Sequence, residues 1–346
     1  VPVTDKASAQ PRVLEGHFTC GNGLLIEAEC LGRAYSTKLA SHDLTISLPR
    51  LPNDWQGDGL LNPPDWTYRT FRDPEQEAKM SDGNFDWGVA VGFRNNPDGT
   101  QSPEFARVRR WRFEATIVTT RTAMDFFAAR EKSMQELGIW WSLVSSWISI
   151  FTKQDFVEIG KAGSGIRVGP VVKWLGDEAG LRVNGSRDTS IPVVNDEGVD
   201  HLDDTTLTRC MTLAAKGTQP PLEWLFIRDA YSLTNAKQNR RAAIDACTAA
   251  ELALTALIDN KFTADGTAAA DRKKQFDNHH GISRLKTLHK NVSAAGVLPK
   301  RLVEDVGALR NKAAHRGYDP SPEETTLAIE TATLVVELAS PLANFT

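Results

Sequence analysis

Near its C-terminal end, this 346-residue chain carries Arg310-Asn311-Lys312-Ala313-Ala314-His315, followed by Arg316 and Gly317. Upstream, Leu302, Val306, Leu309 and Ala313 recur at spacings of four, three and four, the apolar stripe of a helix, which predicts a helix over 299–315. Gly317 supplies a stop. Asn311 and His315 lie four apart and share one face. Arg310 lies five before His315, about 140° around the axis at ~100° per residue. The two converge only if the long Arg side chain wraps around the helix or the helix end unwinds. The chemistry this set suits is cleavage of an RNA backbone without a metal. A base must take the 2′-hydroxyl proton, an acid must protonate the leaving 5′-oxygen, and a cation must hold the phosphoryl oxygens. Histidine serves as base or acid near neutral pH. Arginine offers a permanently charged fork to phosphate. One histidine does not easily do both proton transfers, whereas a symmetric dimer supplies two.

The surrounding charge fits a polyanion. From Asp271 to Arg316 there are eleven Lys or Arg and four Asp or Glu, a local balance of +7 in a chain whose formal net charge is −4. Lys312, Arg316, Lys300 and Arg301 are the candidate RNA-binding cations. The alternative is a solvated helical face balanced by acid elsewhere. On a predicted helix over 239–260, Ile244, Cys247, Glu251, Leu254 and Ile258 fall on one stripe. A carboxylate there must be paired or sit at the stripe's edge. Glu251 therefore either contacts Arg310 or His315 and orients it, or lies at the rim and faces water.

The elements around this site divide the chain in two. Residues 1–217 hold eight of the nine Trp and several runs of period two. Leu44, Ile46 and Leu48 alternate with polar residues, as do Val89, Val91 and Phe93. The clearest strand is 108–118, with Trp111, Phe113, Ala115 and Ile117 on one face and Arg110, Arg112, Glu114 and Thr116 on the other. A long helix is predicted from about 122 to 150, then strand-like pieces at 165–174 and 181–183. This half reads as a β-rich α+β domain. Gly217-Thr218-Gln219-Pro220-Pro221 marks the boundary. Residues 218–346 read as an all-α bundle with helices at 222–236, 239–260, 281–292, 299–315 and 322–340, the last entered through a capping box of Ser321, Pro322 and Glu324. The polar, Ala/Gly/Asp-rich stretch 261–280 reads as a long loop.

In motif and helix order, residues 221–346 resemble a HEPN domain, the higher eukaryotic and prokaryotic nucleotide-binding family. The family motif is an Arg, a polar residue, a few residues and a His near the end of a late helix. Arg310-Asn311-Lys312-Ala313-Ala314-His315 has that form, preceded by the Ala-rich helix with Ala249-Ala250-Glu251-Leu252 and followed by a final long helix. The order and lengths are similar to the ApeA-like HEPN proteins of bacteria, which place a β-rich region first. The resemblance implies an α+β protein whose C-terminal HEPN bundle is a metal-independent endoribonuclease. It would act as a homodimer, leave 2′,3′-cyclic phosphate and 5′-hydroxyl ends, need no cofactor, and serve defence against phage (abortive infection) or a toxin system. His315 would be the general acid/base, Arg310 would bind phosphate, and Asn311 would support them. The N-terminal domain would sense a phage-derived or cellular trigger. The alternative is a catalytically silent HEPN dimerisation and binding module beside a ligand- or partner-binding N-terminal domain.

The remaining signals carry less. Hydrophobic residues at 41% and charged residues at 24% exclude a disordered or collagen-like chain. Cys20, Cys30, Cys210 and Cys247 have no metal-binding spacing and suit a reducing cytoplasm. Residues 1–10 lack an apolar signal core. The stretch 137–151, with Trp140, Trp141 and Trp147, is too short to span a membrane and reads as a buried helix rather than an interfacial one. Gly160–Gly165 lacks the order of a phosphate-binding loop and reads as a turn. His201-Leu202-Asp203-Asp204 and Asn278-His279-His280 read as solvated loops. His289 reads as structural. Arg109, Arg110 and Arg112 beside Trp111 read as the wet face of a strand, and the Trp-rich half as core.

Overall fold

The structure is a computed structural model that describes residues 10–40, 42–53, 55, 59–65, 86–119, 123–155, 171–175 and 199–346. The chain divides into two compact units, Val1–Ile148 with Ser164–Thr218, and Ser149–Gly163 with Gln219–Thr346. A strand-rich sheet followed by a helical region gives the α+β class expected from the sequence.

The first unit is built on one antiparallel sheet of β1 (Gln10–Glu27), β2 (Ala34–Leu39), β3 (His42–Ser47), β4 (Gly88–Asn95), β5 (Gln101–Thr119) and β6 (Val171–Leu175). The strand order is β2-β3-β5-β1-β6, with β4 pairing the first half of β5. The alternation read in 108–118 is real. Leu14 faces Ala115, Gly16 faces Phe113 and Phe18 faces Trp111 across the β1–β5 ladder. This apolar face is covered by helix α1 (Ala123–Thr152): the Trp141 ring stacks on Phe18 at 4.2 Å and meets Trp111 edge-on at 5.3 Å. The buried-helix reading of 137–151 thus holds for the residues that meet the sheet, and Leu137, Trp140, Val144, Trp147 and Ile148 are all buried.

The other face corrects an expectation. It is not wet: Arg112 is 6% exposed, Glu15 is fully buried and His17 is 1% exposed. β1 places Glu15 opposite Glu114, His17 opposite Arg112 and Thr19 opposite Arg110. Arg112 Nε donates to Glu15 at 2.7 Å, and its guanidinium also bonds Glu114. Arg110 meets His17 Nε2 at 2.6 Å, while Arg109 at the rim pairs with Asp86 at 2.6 Å. The polar residues of β5 tolerate burial because β1 brings them partners.

His201–Asp204 is also more than a loop. Leu202 is buried and bridges Ile26. Asp203 caps helix α2 (Asp204–Ala215) by accepting from Thr206 N at 2.6 Å. Asp204 accepts from Tyr35 Oη at 2.8 Å and pairs with Arg33 at 2.9 Å. Gly217 then adopts φ +68° and ends the element. Residues 160–165 and 181–183 lie outside the described residues.

The second unit carries α3 (Leu222–Asn235), α4 (Asn239–Ala264), α5 (Ala269–Asn278), α6 (Ile282–Asn291), a π-helical turn (Val303–Ala308) continuous with α7 (Leu309–Arg316), and α8 (Pro322–Ala339). α4 packs against α3, α6, α7 and α8. Its Ala face is what lets them approach: Ala242, Ala246, Ala249, Ala250 and Ala253 are fully buried. The predicted loop 261–280 is largely helical. α5 shows no apolar stripe and is instead fixed from α4, by Arg272 on Asp259 at 3.0 Å and by Phe276 edge-on to Phe262 at 6.0 Å. The capping box on α8 is present, with Ser321 and Glu324 exchanging hydrogen bonds.

Candidate functional site

The site begins with how α7 is seated. Leu302, Val306, Leu309 and Ala313 are all buried, at 6% exposure or less, so the stripe faces inward. Leu309 packs with Ala243 of α4 and Ala328 of α8. With those neighbours locked, Arg310 is half-buried and Asn311, Lys312, His315 and Arg316 face outward. The predicted straight helix over 299–315 is corrected in one respect. Regular structure starts at Leu302 rather than 299, and Val303–Ala308 winds as a π turn directly upstream of Arg310. Such turns are rare and concentrate at functional sites. Gly307 within it lies close against α6, since a Cβ there would come 3.2 Å from Ile282 Cβ.

α7 stays helical through Arg316, and the Arg310 side chain wraps. Its Nη1 donates to Asn311 Oδ1 at 3.1 Å and lies 3.3 Å from His315 Nε2. Helical side chains lean toward the N-terminus, so His315 leans back to meet a guanidinium that started five residues earlier. For that bond Nε2 must be the acceptor, with the ring proton on Nδ1.

Glu251 lies nearby without touching either residue. Its Oε1 accepts the Cys247 thiol at 3.7 Å and lies 3.9 Å from where a Cβ on Gly281 would be. Among the described residues no hydrogen bond or ion pair joins Glu251 to Arg310 or His315, so the first of the two alternatives, a direct contact, is not what is found. Arg310 is nonetheless in electrostatic range of Cys247. Burial pushes the Cys247 thiol up to about 12, the Glu251 carboxylate adds to that, and the Arg310 guanidinium opposes it. The thiol is therefore held protonated and is no nucleophile.

The candidate RNA-binding cations are not all gathered. Arg301 pairs with Asp305 at 2.9 Å at the start of the π turn, and the Lys300 carbonyl accepts from Lys286 Nζ at 2.9 Å. Both lie about two turns upstream of Arg310. Arg316 is exposed beside His315. Lys312 is three residues before His315 and so is its neighbour on the helix surface. Its ammonium lies 5.8 Å from the ring centroid of Tyr318.

Tyr318 is a residue the sequence reading passed over. Gly317 takes the left-handed conformation, φ +65°, and turns the chain off α7. Tyr318 N then donates to Lys312 O at 3.3 Å, and its hydroxyl donates to Glu324 Oε2 at 2.8 Å. Glu324 also accepts from Ser321 N at 2.9 Å. That backbone hydrogen bond first, then the Tyr318 hydroxyl, keeps the Glu324 carboxyl below its ordinary range, with the charge of Lys312 adding to it. Asn239, at the start of α4, donates to Pro320 O at 3.1 Å. The end of α7 is thus tied to α4 and α8. The only sequence signal was an aromatic directly after the helix-stopping glycine.

His289 is buried, and its Nε2 meets Ala295 O at 3.0 Å, a structural role as expected. His279 Nδ1 meets Gln275 O at 2.7 Å at the end of α5, and His280 is exposed. Among the described residues no group of three or more His, Cys, Asp or Glu is placed to hold a metal ion, and no helix is long and apolar enough to cross a membrane. Compared with models of known protein families, with curated proteins and with solved structures, the chain gives no match.

Proposed function

We propose that the chain is a metal-independent endoribonuclease of the HEPN type, acting as a cytoplasmic homodimer in defence against phage or in a toxin system. The observation that carries this reading is the contact of Arg310 Nη1 with His315 Nε2 at 3.3 Å on an outward-facing helix end, with Asn311 on the same guanidinium. A phosphate is a stronger acceptor for that guanidinium than a neutral imidazole is. When RNA enters, its phosphoryl oxygens take the Arg310 N–H groups and release His315 Nε2. The freed imidazole then takes the 2′-hydroxyl proton, or, protonated, delivers one to the 5′-oxygen. Arg310 stays on the phosphate and holds the charge that builds there.

Two proton transfers call for two imidazoles, which a second copy supplies. Leu327, Leu334 and Leu338 form one stripe of α8 and are 43%, 60% and 36% exposed. They support a face that another copy covers. Glu251 acts at a distance in this reading, through its charge beside Cys247 and Arg310. The N-terminal unit would hold the trigger site.

The test is cleavage of a mixed RNA pool in EDTA by the wild type and by His315→Ala, with fragment ends read. The expected result is cyclic-phosphate ends from the wild type alone. Cleavage that persists in His315→Ala would reject the assignment.

A further inference from the structure

We infer that Tyr318 is a base-stacking subsite, its ring taking the face of a nucleobase in a single-stranded RNA whose phosphate lies at Arg310 and His315. This rests on the nuclease reading above and names how that site would grip its substrate.

Three observations carry it. Tyr318 is a large aromatic left 39% exposed. It is nevertheless fixed at both ends, its amide by Lys312 O and its hydroxyl by Glu324. An exposed ring that is already ordered loses little freedom when a ligand lands on it. Lys312 joins this ring to the catalytic face: it is 5.8 Å from the ring centroid and one helical turn from His315. Aromatic faces beside cations are how proteins hold single-stranded nucleic acid, the cation taking phosphate and the ring taking a base. With Lys312 on one face of the ring, the base stacks on the other. Stacking tolerates every base, so this subsite gives grip and register with weak sequence preference.

The hydroxyl also latches α7 to α8, so the test must separate stacking from latching. The 346-residue chain carrying His315→Ala, used to suppress cleavage, is titrated with a fluorescent oligouridylate and with an abasic ribose-phosphate oligomer of equal length. Tyr318→Ala and Tyr318→Phe are compared in that background; both lose the latch, and only the second keeps the ring. Stacking predicts an affinity loss of about ten- to hundredfold for Tyr318→Ala on the oligouridylate. It predicts a loss of about threefold or less for Tyr318→Phe, which keeps the ring and loses only its anchor, and no difference between the variants on the abasic oligomer. If the two variants fall together, or neither changes, while the wild type still cleaves RNA, the stacking subsite is wrong and the nuclease reading stands. Base-dependent binding through Tyr318 without cleavage by the wild type, with or without infected-cell lysate, keeps the subsite and rejects the nuclease. Failure of every protein to bind either oligomer rejects both.

Discussion

Two Arg–His pairs stand in the two units of this chain, and their surroundings differ in every respect that matters. In the sheet, Arg110 meets His17 at 2.6 Å beside the buried Glu15–Arg112 pair, which the part-exposed Glu114 joins. At the end of α7, Arg310 meets His315 at 3.3 Å on the surface, with neutral Asn311 as its other partner. Burial first, and the charge of Arg110 second, hold the His17 imidazole down at about 3, so it stays neutral at any physiological pH. The sheet pair is closed off and balanced. The helix pair is open, and among the described residues no carboxylate bonds its guanidinium. The same residue types therefore read as scaffold in one place and as a phosphate site in the other.

Removing the guanidinium beside the sheet pair and the guanidinium of the helix pair should separate these roles. Arg112→Ala leaves Glu15 as an uncompensated buried carboxylate and should cost about 3–5 kcal/mol in a denaturant titration. Arg310→Ala, at the open site, should stay within about 0.5 kcal/mol of the wild type. A large destabilisation by Arg310→Ala would mean that the helix pair is scaffold too.

His17 gives the pH counterpart. Its imidazole takes up a proton near 6.5 when the chain is unfolded and only near 3 when folded. Between those values the unfolded state binds more protons, so stability is full above about pH 6.5 and drains away as pH falls toward 3. The stability lost across that window is on the order of a few kcal/mol. His17→Gln should flatten that part of the stability–pH curve, read from melting temperatures at stepped pH. A curve as steep as the wild type's would remove His17 from the account.

The sequence was most legible where one element decided its own form. The alternation in 108–118, the stripe of Leu302, Val306, Leu309 and Ala313, and the Ser321 capping box all read correctly because each is a local pattern. What failed depended on distant partners. The polar face of β5 looked wet because Glu15, which neutralises Arg112, lies 97 residues away. α5 looked like a loop because its support is Asp259 and Phe262 on the preceding helix. The π turn left no trace, since its stripe residues keep an ordinary helical order. At the candidate site, the residue types and the Asn311–His315 face were readable. The reach of Arg310 across five residues, the Cys247 partner of Glu251 and the Tyr318 latch all depend on where side chains lean.

Two smaller effects sharpen the contrast. Ser321→Ala removes one half of the capping box on α8 and should cost ~1 kcal/mol. The same change should lower cleavage through displacement of Glu324 and Tyr318, and an equal stability loss elsewhere in α8 with no effect on cleavage would confirm that route. Leu334→Glu places a charge in the exposed leucine stripe and, if the proposed dimer forms through it, should give a monomer in sedimentation. A sedimentation coefficient equal to the wild type's would remove this stripe as the proposed dimer face.

The central claim is that the open Arg–His pair cuts RNA, and its most direct measurement is the EDTA cleavage assay on wild type and His315→Ala, run with and without infected-cell lysate as a source of trigger. The account predicts 2′,3′-cyclic phosphate ends from the wild type and a loss of about a hundredfold or more in His315→Ala. Equal cleavage by both proteins, or none by the wild type under either condition, would contradict it.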